Sequence, residues 1–105
     1  LLTHRSGLGL GVGDLMFVPD GSDFTMKDLL PVFQHFKQTS QFRTKYDYDN
    51  LLYLIAGEIV KRVSGMTWED FVAKRIFTPL KMDRSGAAID RIKDTNNLAV
   101  PHSSD

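Results

Sequence analysis

Glycine stands at every second position from Gly7 to Gly13 in the opening stretch LLTHRSGLGLGVGD, and glycine-rich loops can cradle phosphate on their backbone N–H groups. The pattern fails in detail. Gly9 and Gly11 fit the first two places of a dinucleotide fingerprint, but the third falls on Asp14. A P-loop needs a lysine after its last glycine, and Gly13 is followed by the same acid, which would repel phosphate. The next residues run into Pro19 and the turn-forming pair Asp20-Gly21, so a tightly bent or flexible surface loop is expected. The three histidines, His4, His35 and His102, form no H-x-x-x-H pair, and the spacing favours ordinary loop or surface histidines with no metal site. Asp14, Asp20 and Asp23 lack the calcium-loop pattern and read as turn formers. No G-x-S-x-G elbow surrounds any serine.

The elements that must position any site are mostly helical. Thr25 with Asp28 predicts a capping box, opening a helix from Met26 to about Lys37 with Leu29, Leu30, Val32, Phe33 and Phe36 near one face. Pro31 is expected to shorten or kink it. The polar stretch QTSQFRTKYDYD is a connector. The clearest helix runs from about Asn50 to Ser64. Its first half is apolar around most of its circumference and is expected to be buried, with Gly65 as the closing residue. Thr67 and Asp70 predict a second capping box, and Trp68, Phe71, Val72 and Ile76 share a face that Thr78-Pro79 should end. The tail is turn-rich, with room for a short helix or an edge strand.

Composition bounds the function classes. The 105 residues suffice for one small core. Thirteen basic residues balance thirteen acidic ones, which gives no electrostatic footprint for nucleic acid. There is no cysteine, so disulfides and thiolate metal sites are excluded. The longest apolar run, Leu51 to Ala56, stops at Gly57-Glu58, far short of a membrane span. The chain starts inside an apolar phrase and ends on HSSD, and so is expected to be a piece of a longer protein.

One long stretch, YDYDNLLYLIAGEIVKRVSGMTWEDFVAKRIFTPLKM, resembles the penicillin-recognising serine hydrolases: class C β-lactamases, penicillin-binding D,D-peptidases and related esterases. The likeness rests on Tyr48-Asp49-Asn50 as their Tyr-x-Asn motif, Gly65, Trp68-Glu69-Asp70-Phe71, and Ile76-Phe77-Thr78-Pro79-Leu80-Lys81-Met82. LLTHRSGL is similar to the L-L-T-H-x-S-G-L element that precedes the motif, and NNLAVPH to a later element. The match covers nearly the whole chain in order. Lys81 departs from it where the family usually has glycine, and QTSQFRTK lacks the Pro-Gly often found before the motif.

The resemblance implies a mainly α chain, residues 1–105 forming a helical subdomain of the α/β (α+β) β-lactamase/transpeptidase-like fold, with the central sheet largely outside it. It implies acyl transfer through the serine of a Ser-x-x-Lys motif, with Tyr48 as general acid/base and Asn50 binding the substrate amide and orienting the lysine. The substrate would be a small molecule or peptide, such as a β-lactam, a D-Ala-D-Ala peptide or an ester, with no cofactor. A periplasmic or extracellular setting is favoured on the same ground. Ser40-Gln41-Phe42-Arg43 is the nearest approach to Ser-x-x-Lys here, and arginine stays protonated and cannot act as a base. No Lys-Thr-Gly or His-x-Gly triad is present either. The chain alone is therefore expected to be inactive, and its apolar face to favour self-association. Two alternatives stand: a catalytically dead relative that binds peptide or cell-wall fragments, and a structural module in which Tyr48 is simply a half-buried tyrosine before a helix.

Overall fold

The computed structural model describes residues 1–17, 23–96 and 98–103. Three α-helices dominate it: α1 (Met26–Val32), α2 (Leu51–Ser64) and α3 (Trp68–Val72). Short 3-10 turns cover Asp14–Phe17, Phe33–His35 and Ile89–Arg91. Among the described residues there is no strand, only an isolated antiparallel bridge between Leu8 and Gln38. The mainly α expectation holds. The turn expected at Pro19-Asp20-Gly21 lies outside the described residues.

Helix α1 opens as the sequence predicts. The Asp28 carboxylate accepts from both the N–H of Thr25 (2.8 Å) and its hydroxyl (2.6 Å). The helix ends at Val32, one residue after Pro31 and five short of the expected Lys37. The chain tightens into the 3-10 turn at Phe33 instead, and Phe33 and Phe36 meet edge to face at 5.3 Å. Leu29 is buried, and Leu30, Val32, Phe33 and Phe36 are half-buried.

Helix α2 has nearly the predicted bounds. Gly65 closes it in the left-handed conformation (φ 71°), its N–H reaching the Lys61 carbonyl at 2.9 Å, while Lys61 and Arg62 put positive charge at the C-terminal end. In α3 the Thr67 hydroxyl accepts from the Asp70 N–H at 3.2 Å, so the expected cap forms. The Asp70 carboxylate faces Arg91 at 3.5 Å and closes no reciprocal bond to Thr67. The helix widens into a π-helical turn over Ala73–Phe77, with Thr78 N–H bonded to the Ala73 carbonyl at 2.9 Å, and stops before Pro79. The tail contributes the Ile89–Arg91 turn and, among the described residues, no edge strand.

The burial expected of the first half of α2 is met in part. Only Leu51 and Leu52 of α2 are buried, while Leu54, Ile59 and Val63 are exposed. Trp68 and Ile76 are nearly half exposed. The apolar stripe exists, and among the described residues Leu2, Met26 and α3 cover it only in part.

Candidate active site

The site is built on two strips of chain laid side by side, residues 4–11 and 43–49. The Asp47 N–H donates to the His4 carbonyl at 2.9 Å, and the Arg43 N–H to the Arg5 carbonyl at 2.9 Å. The Gly11 N–H donates to the Tyr48 carbonyl at 2.8 Å. The glycine loop is thus bonded directly to the backbone of the Tyr-x-Asn motif. Two of its glycines are there for close approach. A Cβ on Gly13 (φ 82°) would collide with the Leu51 side chain in the first turn of α2, and one on Gly7 (φ 92°) would meet the Ser40 carbonyl oxygen at 2.6 Å. The loop is tightly bent, one of the two forms expected of it, and Gly7 is buried within it.

Residues 46–49 belong to no helix or strand, and burial alternates along them: Tyr46 and Tyr48 are exposed, Asp47 and Asp49 buried. Tyr48 is 47% exposed and Asn50 is exposed, while Asp49 between them is wholly buried. Tyr48 is therefore no core tyrosine. Asn50 occupies the cap position of α2 in helical conformation, and its side chain makes no cap bond. Asp49 does that instead, its Oδ1 accepting from the Leu51 N–H at 3.0 Å. Its Oδ2 is buried with no hydrogen-bond partner among the described residues. Burial raises the Asp49 carboxyl above its ordinary 3.8; the Leu51 N–H opposes this, and the Asp14 carboxylate adds to it. Asp47 is also buried, and the Lys45 ammonium meets its Oδ1 at 2.9 Å.

His4 lies in a loop, one of the two settings expected of the histidines, but it is buried there. It is 8% exposed, at the centre of three tyrosines. Its ring stacks on Tyr48 (centroids 4.4 Å apart, planes 26° from parallel), lies tilted to Tyr53 at 5.3 Å and edge-on to Tyr46 at 5.5 Å. Its Nδ1 accepts the buried N–H of Asp49 at 3.1 Å. The Tyr53 hydroxyl donates to the Leu2 carbonyl at 2.9 Å, tying α2 to the same loop. His35 and His102 are exposed, as expected. Sequence reasoning missed both His4 and Asp49. Asp49 had a legible signal, a short acid two residues before a helix start; His4 had none in its own spacing.

Among the described residues no three His, Asp or Glu side chains converge on a metal site, and no helix is long and apolar enough to cross a membrane. The whole chain, residues 1–105, matches the Beta-lactamase family. The chain belongs to the β-lactamase family. This β-lactamase-family chain is 23% identical over 90 residues to the unguisins hydrolase ungD' of Aspergillus campestris, a match covering 86% of this chain and 17% of that protein. It is 25% identical over 85 residues to the unguisins hydrolase ungD of Aspergillus violaceofuscus, covering 81% and 15%. It thus spans about a sixth of the length of the curated relatives it matches. No solved structure matches it significantly.

Proposed function

We infer that the protein carrying this chain is a β-lactamase-like serine hydrolase, and that the chain supplies its Tyr-x-Asn motif as a helical subdomain. The observation that carries the reading is the alternation at residues 48–50: phenol and carboxamide outward, the intervening carboxylate inward and capping α2. That arrangement leaves Tyr48 and Asn50 free to meet a substrate while the backbone between them is held fixed. The membership of the family and the hydrolases among its relatives support the same class of chemistry.

In this reading the nucleophilic serine and its lysine belong to a Ser-x-x-Lys motif at a helix start outside these residues. The serine hydroxyl loses its proton to the lysine–Tyr48 pair as its oxygen attacks the substrate carbonyl. Tyr48 passes a proton to the departing amine or alkoxide, and water later hydrolyses the acyl-enzyme. Asn50 donates to the substrate amide and orients the lysine. The substrate is a small molecule or peptide with a cleavable acyl bond, and the chain by itself is inactive.

The test uses the full-length protein with its native flanks. It is treated with a fluorophosphonate or a penicillin and the adduct is mapped by mass spectrometry. An adduct on a serine outside residues 1–105 is expected, formed about 10²–10⁴-fold more slowly in Tyr48→Phe. A folded protein that forms no adduct with either probe would instead be a binding protein that has kept the scaffold and lost the chemistry.

A further inference from the structure

We propose that His4 is a positioning residue for Tyr48: its buried imidazole sets the plane of the phenol ring and holds the backbone of the Tyr-x-Asn motif in register. This rests on the role assigned to Tyr48 above and adds to it the group through which the fold controls that side chain.

Three separate contacts converge on one residue. The imidazole face lies against the Tyr48 ring at 4.4 Å, with 26° between the planes. Its Nδ1 accepts the Asp49 N–H at 3.1 Å, so the next peptide is fixed by the same ring. Its carbonyl accepts the Asp47 N–H at 2.9 Å, which fixes the Tyr46–Asp47 peptide ahead of the motif. His4 therefore grips the motif before, at and after Tyr48. Among the described residues the Tyr48 hydroxyl has no hydrogen bond, so the ring's orientation rests on its stacking partner and its backbone.

The side chain needed here must be flat, must carry an acceptor next to the ring's attachment point, and must tolerate the backbone. Histidine meets the first two requirements, with the neutral ring's proton on Nε2 because Nδ1 is accepting. The third is met under strain: His4 has φ 53°, in the left-handed region that non-glycine residues rarely occupy. Such strain persists where the surroundings over-determine it, and it clusters at functional sites. Here the surroundings are Tyr46, Tyr48 and Tyr53, with Tyr53 also bonded through its hydroxyl to the Leu2 carbonyl. A phenol that relays a proton must sit within hydrogen-bond reach of both partners, and small displacements are costly in rate.

The experiment is a double-mutant cycle in the full-length protein, with the rate of serine acylation by a fluorophosphonate as the readout. His4→Asn is the informative variant. Asparagine tolerates positive φ and keeps a short acceptor for the Asp49 N–H, but has no ring to stack on Tyr48. Acylation is expected to slow about 10- to 100-fold in His4→Asn. In a Tyr48→Phe background the same substitution should cost less than about twofold, because its effect runs through the phenol. A merely structural role for His4 would slow both backgrounds equally, and that result overturns the proposal, as does an unaffected His4→Asn beside a slow Tyr48→Phe. If Tyr48→Phe itself acylates at the normal rate, the catalytic reading of Tyr48 falls and the role of His4 falls with it. An independent check needs no variant. The unsubstituted protein should show nuclear Overhauser contacts between the His4 and Tyr48 ring protons, and their absence overturns the proposal whether or not any variant folds.

Discussion

Asp49 lies wholly out of solvent, with one oxygen bonded to the Leu51 N–H and the other without a partner among the described residues. Burial makes its ionised form costly, so the folded chain binds its proton more tightly than the unfolded chain does. The contribution to stability is therefore fully present below pH 3.8 and is lost as pH rises through the raised folded value. Asp49→Asn keeps the acceptor for Leu51 and removes the charge. It is expected to flatten the fall in thermal midpoint as pH rises above 3.8, read by thermal melts of both proteins across a pH series. Asp28 has the opposite sign. The Thr25 hydroxyl and N–H hold its carboxyl below 3.8, so its help to α1 is present above that value and fades as the pH drops through the lowered one.

At the scale of elements, the turn after the π-helical segment shows what a departure from the family pattern does. Lys81, where the family usually has glycine, adopts φ 57°, and its N–H bonds to the Thr78 carbonyl at 3.1 Å. The turn keeps a glycine's geometry with a lysine in it. Lys81→Gly should relieve that strain and stabilise the chain by about 0.5–1 kcal/mol, whereas Lys81→Val should destabilise it, both read by denaturant unfolding. The starts and stops of the helices were legible because each rests on a local signal: Thr25 with Asp28, Gly65, Thr67, Pro79. Pro31 announced a shorter α1 without giving its last residue. Burial was less legible. The pattern of Leu54, Ile59 and Trp68 says which face is apolar, but whether anything covers that face is decided by chain far away in sequence or outside these residues. His4 was invisible for a similar reason, since its Asp49 partner is 45 positions off.

The whole molecule is open. Its radius of gyration is 16.6 Å, against about 13 Å expected for a compact chain of this length. Among the described residues the buried apolar side chains are Leu29, Leu51, Leu52 and Val72. A groove of about 760 Å³ runs between Leu2, Met26, Tyr53, Leu54, Val60 and Trp68. Prepared alone, the 105-residue chain is expected to associate as concentration rises, and Leu54→Lys should shift sedimentation back toward the monomer. The bonds between residues 4–11 and 43–49 work differently from that loose exterior. The Gly11, Asp47 and Asp49 amides are released only when the two strips part. They should therefore exchange with deuterium together, with a single opening free energy, while the amides of α3 exchange on their own schedule. The strip that carries Tyr48 would then have a local stability of its own, governed by the loop it lies against rather than by the helix it leads into. A destabilised glycine loop would release the Tyr48 strip while α2 stays intact.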